Sequence, residues 1–209
     1  RTDITEKDFS ITVNRKINRK GFQYDRVLSK WAIVKTDGDK DILASHARYA
    51  DSVAPAYEAK PWKLSGKKGL GAGPNSRRYY NEFKLLNIHS ITTNIVLNSF
   101  LMKTYASGSS PYTYGRKTYY INTAAVKQMD EMMKAAQQQD VIVNAILLLT
   151  PNSIFKDPEN NGGFYTMPNM TTAEAVNDYA AALNYLARRY SSGSYGRIHN
   201  WIMHNEVDM

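Results

Sequence analysis

The nine residues Val141-Ile-Val-Asn-Ala-Ile-Leu-Leu-Leu149 decide the fold. Only Asn144 interrupts the apolar run. A stretch this short and this continuously apolar reads as a parallel strand buried on both faces. It falls far short of the ~18–20 residues a membrane helix needs. Working upstream, Asn122 or Thr123 starts a helix whose Val126, Met129, Met133 and Ala136 share one face. Before it, Ser99 to Ile121 is rich in Ser, Gly and Tyr and reads as a long loop. Ile88 to Asn98 is a second strand, built on Ile91, Thr92, Thr93, Ile95 and Val96. Gly66 to Gly73 is a short strand running into a tight turn, and Asn75 caps a helix bearing Tyr79, Phe83 and Leu86. Downstream, Thr150 to Met170 is another long loop, punctuated by Pro151, Pro158 and Pro168. Thr171 with Glu174 makes a capping box for a helix carrying Val176, Tyr179, Leu183, Leu186 and Tyr190. Ser191 to Gly196 ends it, and Ile198 to Val207 is the last strand.

Strands alternating with helices predict an α/β fold with a parallel sheet, either doubly wound or a barrel. The loops after strands are long and those after helices short, the asymmetry of a (β/α)8 barrel with its site on one face. Residues 63–209 supply four strands, expected parallel in the order 1-2-3-4, whereas a complete barrel takes roughly 250 residues. The expectation is therefore the N-terminal half of a TIM-type barrel. Residues 1–62 precede it as a small strand-rich region. There, Phe9, Ile11 and Val13 alternate with polar residues, Val27 to Lys35 is a second candidate strand, and Asp37-Gly38 marks a turn. Pro55 and Pro61 bracket a linker.

The 209 residues carry 27 Lys+Arg against 19 Asp+Glu, a net charge of +8 that admits acidic polysaccharide, nucleic acid or anionic membrane as partners. The basic residues fall in short groups such as Arg15-Lys16, Arg19-Lys20 and Lys67-Lys68, without a nucleic-acid module, so scattered solvated charge is the better reading. With no Cys there is no disulfide framework and no thiolate ligand or nucleophile. The chain opens at Arg1 without a basic-then-apolar leader, so a signal peptide is expected to be absent or removed.

The chemistry points to Ile198-His-Asn-Trp-Ile-Met-His-Asn-Glu-Val207. Strand alternation would put Asn200, Ile202, His204 and Glu206 on one face, with Glu206 at the carboxyl end where barrel catalytic residues sit. His204, one layer beneath, could hydrogen-bond that carboxylate. A carboxylic acid in a partly dry cleft has a raised pKa and can protonate a glycosidic leaving group. His199 and His204 are on opposite faces, which argues against a metal, and no cofactor is expected. Asn98 and Thr150 end strands two and three and are weaker candidates. Tyr114 stands among loop aromatics (Tyr105, Tyr112, Tyr119, Tyr120, Phe155, Phe164 and Tyr165) that suit the C–H faces of sugars, although most should simply pack their own loops. The Gly69-x-Gly71-x-Gly73 turn lacks the spacing of a dinucleotide fingerprint and reads as a tight first turn.

An apolar strand ending Asn205-Glu206, fourth in a β/α series, resembles the fourth strand of the clan A glycoside hydrolases. The resemblance implies Glu206 as general acid/base, Asn205 as ligand of the sugar 2-hydroxyl, and a nucleophile at the end of a seventh strand, outside these residues. The clan often carries an Arg on strand two, where this chain offers Asn94 and Asn98. The tail Trp201 to Asp208 also resembles an uncharacterised family of large secreted bacterial barrel proteins, which implies an extracellular or periplasmic location. The expected activity is retaining hydrolysis of a polysaccharide or oligosaccharide by the complete protein, with the fragment alone inactive. The rivals are a non-catalytic carbohydrate-binding barrel and a doubly wound nucleotide-binding domain.

Overall fold

The computed structural model describes residues 3–14, 17–18, 24–54, 62–73, 79–151, 154–159, 163–191 and 193–205. The chain separates into two units, Arg1–Ala59 and Lys60–Met209.

In the first unit, β1 (Ile17–Asn18) pairs with β2 (Tyr24–Asp25), and β3 (Val34–Asp37) with β4 (Lys40–Leu43), both antiparallel. Gly38 takes φ 59° in the two-residue β3–β4 connection, so the Asp37-Gly38 turn forms where expected. Phe9, Ile11 and Val13 form no strand and are 42%, 44% and 41% exposed, which corrects the expected first strand. Alternation makes a strand only where a second strand completes the ladder, and none does here. Of Val27 to Lys35, only Val34 and Lys35 enter a strand, with Trp31 bridged singly to Arg48. No described side chain of this unit is buried. Pro55 and Pro61 lie outside the described residues.

The second unit runs β5 (Gly69–Leu70), α1 (Glu82–Leu85), β6 (Ser90–Val96), β7 (Leu101–Met102), β8 (Ser109–Tyr114), β9 (Lys117–Asn122), α2 (Thr123–Gln138), β10 (Ile142–Leu148), α3 (Ala173–Tyr190) and β11 (Asn200–Met203). Four of these strands form one parallel sheet in the order β5-β6-β10-β11, so the fold is α/β and the strands follow one another in sequence order. The order has no reversal, and hence no switch point of the doubly wound kind.

Sequential order with right-handed crossovers places α2 and α3 on the same face of the sheet. The burial follows. Ile91 and Ile95 on β6, and Val143, Ala145 and Leu147 on β10, are buried with Met133 and Ala136 of α2 and Ala182 and Leu186 of α3. Thr93 on the same face reaches the Met132 sulfur at 3.9 Å. The opposite face is mixed: Ile142 and Leu148 are buried on it, and between them Thr92, Asn144 and Asn200 stand in register across three strands, where Asn200 Nδ2 donates to Asn144 Oδ1 at 2.6 Å. Asn94, one layer further along, is exposed.

Local chemistry explains the long helices. Asn122 caps α2 by accepting from the Ala125 N–H, and Asp140 at φ 56° turns the chain into β10. The α3 cap is Thr172, which accepts from Ala175 N–H at 3.1 Å. The expected capping box on Thr171 is thus one residue early: Thr171 bonds Asn169, and Glu174 pairs with Lys117. Gly196, at φ 92°, lets the turn before β11 press against α2, where a Cβ would stand 2.6 Å from the Met133 backbone. Of the helix expected from Asn75, the described residues hold the single turn α1, and Asn75 itself lies outside them.

The expected loop at Ser99 to Ile121 contains a three-stranded antiparallel sheet in the order β7-β9-β8. Gly115 at φ 61° opens the two-residue β8–β9 turn, a hairpin signal hidden in a stretch that composition marks as loop. Tyr119 and Ile121 alternate inward along β9 and are buried.

Candidate functional site

The carboxyl ends of the parallel strands bring two expected residues together. Asn98 follows β6 and Thr150 follows β10. Asn98 Nδ2 donates to Thr150 Oγ1 at 2.8 Å, while Thr150 N–H donates to Asn98 Oδ1 at 3.2 Å. Both amide functions of Asn98 are thereby engaged, and the pair ties the two strand ends together. Beyond them the chain folds back: Thr166 N–H donates to Leu149 carbonyl at 3.0 Å, and Phe155 is fully buried.

The last strand ends earlier than alternation requires. β11 stops at Met203, and His204 takes φ 65°, which breaks the face shared with Asn200 and Ile202. His204 is 9% exposed, with Nε2 2.7 Å from the Tyr179 hydroxyl on α3 and its ring stacked on that tyrosine at 5.7 Å. It therefore faces the helix layer, which corrects the expected strand face shared with Asn200 and Ile202. Burial holds the imidazole below its usual pKa and pushes the Tyr179 hydroxyl up to about 12, so both are neutral near pH 7. Asn205 is exposed at the end of the described chain, and Glu206 lies outside the described residues.

The aromatics divide. Tyr114 is half-buried against the core at the end of β8. Tyr112 donates to Asn184 Oδ1 at 2.5 Å and packs edge-on to Tyr185, so this antiparallel sheet lies along α3. Phe155 and Tyr119 are buried. Phe164 is 82% exposed and meets Tyr165 edge-to-face at 5.2 Å in the loop after β10.

One polar cluster escaped the sequence reading. Asp178 on α3 is 1% exposed and receives Lys103 at 2.6 Å, Lys117 at 3.1 Å and the Tyr119 hydroxyl at 2.6 Å. Burial raises the Asp178 carboxyl, but hydrogen bonds from Lys103, Tyr119 and Lys117 outweigh it and hold the group below its usual value. Its signal was in the sequence: Ala175, Asp178 and Ala182 share the inward stripe of α3, where a carboxylate demands partners. Closed off by its donors, Asp178 anchors β7 and β9 to α3 and has no free face for a substrate.

At the opposite end of the sheet, His199 Nδ1 accepts from Val143 N–H at 3.0 Å, and Ser65 Oγ bonds His89 Nδ1 at 2.7 Å. Among the described residues no group of three or more His, Cys, Asp or Glu could hold a metal ion, and no helix is long and apolar enough to cross a membrane. The Gly71–Gly73 turn lines a cleft of about 390 Å³ with Thr92, Asn94 and Gln128, alongside β6 where β5 has stopped.

No curated protein and no solved structure matches this chain. The family model described as "Family of unknown function (DUF5722)" matches residues 60–209, a span that begins where the second unit does and takes in the whole parallel sheet. The chain belongs to that family.

Proposed function

We propose that residues 60–209 are the first half of a (β/α)8 barrel whose carboxyl-end face hydrolyses glycosidic bonds in a polysaccharide or oligosaccharide, outside the cytoplasm and with retention. The supporting observation is the parallel order β5-β6-β10-β11, which follows the chain without a reversal. Parallel strands in unbroken sequential order, linked by helices, are what a barrel wall requires before it closes around its interior. In this reading Glu206 is the general acid/base, Asn205 contacts the sugar hydroxyl, and the nucleophile comes from chain beyond these residues. Asn98 and Thr150 brace the rim, and no metal or cofactor takes part. The exposed Phe164–Tyr165 pair favours a second reading, a barrel that binds sugar without cleaving it.

The test is Glu206→Gln in the complete protein with two substrates. General acid assistance is worth ~10²–10⁴-fold, so a glycoside with an alkoxide-like leaving group should lose about that much rate. An aryl glycoside whose leaving group needs no proton should lose much less in its first step. Equal losses on both would remove Glu206 from the acid role and favour the binding barrel.

A further inference from the structure

β11 is the edge strand, and its last ladder pairing is Met203 with Leu147. At His204 and Asn205, the last described residues, no ladder holds the backbone, yet His204 sits at φ 65°, a conformation that costs an L-residue free energy. Asn and Asp, which tolerate that region best, occupy it at Asn87 and Asp140 before β6 and β10. At position 204 the side chain does more. Tyr179, itself buried and packed edge-on against Phe155 at 6.4 Å, presents its hydroxyl to Nε2 and its ring to the imidazole face.

We propose that the Tyr179–His204 pair is a latch that holds the left-handed turn at the carboxyl end of β11, making both side chains positioning residues for Asn205, next along the chain. The positioning role rests on the proposed glycosidase reading, in which Asn205 contacts the sugar; the latch itself does not. With the neutral imidazole protonated at Nδ1, the Tyr179 hydroxyl donates into Nε2. Burial perturbs the ring and no charged group does, so protonation would place an uncompensated charge in the contact.

Hydrogen exchange of the intact protein, followed by mass spectrometry on peptides covering 203–206, reads the latch without turnover. Tyr179→Phe keeps the ring and removes the hydrogen bond. His204→Gly keeps the turn, which glycine adopts freely, and removes the side chain. Each should speed exchange roughly five- to tenfold, and the double variant should be no faster than the faster single. Wild-type rates in His204→Gly would show that the turn alone matters and would overturn the latch, as would wild-type rates in Tyr179→Phe. After correction for intrinsic exchange, protection should fall in the wild type as pH drops through the lowered imidazole pKa, and stay level in His204→Gly. The same pH dependence in both proteins overturns the proposal. In an active complete protein, Tyr179→Phe should lower kcat with little change in KM; unchanged kcat overturns the positioning role. A wild type without glycosidase activity overturns the assignment of Glu206 and leaves the exchange result standing.

Discussion

Asp178 carries the largest single-residue prediction. Its carboxylate is buried among two lysines and a tyrosine, so Asp178→Asn strands donors that folding has organised around a negative charge. The lysines are about two-fifths exposed and can recover water, which keeps the loss to about 2–4 kcal/mol at pH 7. Lys103→Ala should cost only about 0–1 kcal/mol for the same reason. The pH dependence follows from the depressed carboxyl: its contribution is complete above the unfolded value near 3.8 and is lost as pH falls through the lower folded value. Thermal unfolding of wild type and Asp178→Asn across pH 2–7 should show a gap that closes only below about pH 4. A gap independent of pH would mean that packing, not charge, sets the cost.

At the scale of elements, the helix termini separate what local chemistry decides from what the neighbours decide. Thr172→Ala removes the α3 cap and should cost about 1 kcal/mol in urea unfolding, while Thr171→Ala should stay within about 0.5 kcal/mol. The reverse ranking would restore the cap to Thr171. Gly196→Ala should be worse, about 2–4 kcal/mol, because φ 92° is disfavoured for alanine and the new methyl would meet the Met133 backbone. The same measurement checks it, and a loss under about 0.5 kcal/mol would show that the turn yields. The Tyr-rich β8–β9 hairpin shows the converse. Its Gly115 turn was readable, but its strands are held by Tyr112 to Asn184 and Tyr119 to Asp178, partners 72 and 59 residues away. Pairings that distant leave no local period.

For the whole molecule the decisive feature is the sequential order of the parallel sheet. If the proposed barrel closes, the outer edge of β11 should pair with a further parallel strand, and the edge amides of Asn200 to Met203 should be protected from exchange in the complete protein. The same amides should exchange freely in residues 60–209 alone, where Ile202 and Met203 are 40% and 49% exposed. Equal, rapid exchange in both would mean that the edge stays open and the barrel does not close there.

The sequence by itself determined α2, β10 and α3, the alternation of strands and helices, and through these the parallel order of the sheet. Each depends on spacing within a few turns of chain, on caps such as Asn122, or on an apolar run too continuous to face water. Only the tertiary structure decided the antiparallel sheet along α3, the partners of buried Asp178, the reciprocal bonds of Asn98 and Thr150, and the direction of His204. Alternation predicted where His204 would point if the strand ran on. The buried hydroxyl of Tyr179, 25 residues earlier, met it on the helix side instead, because a polar ring that leaves the ladder is most stable where a partner is already buried.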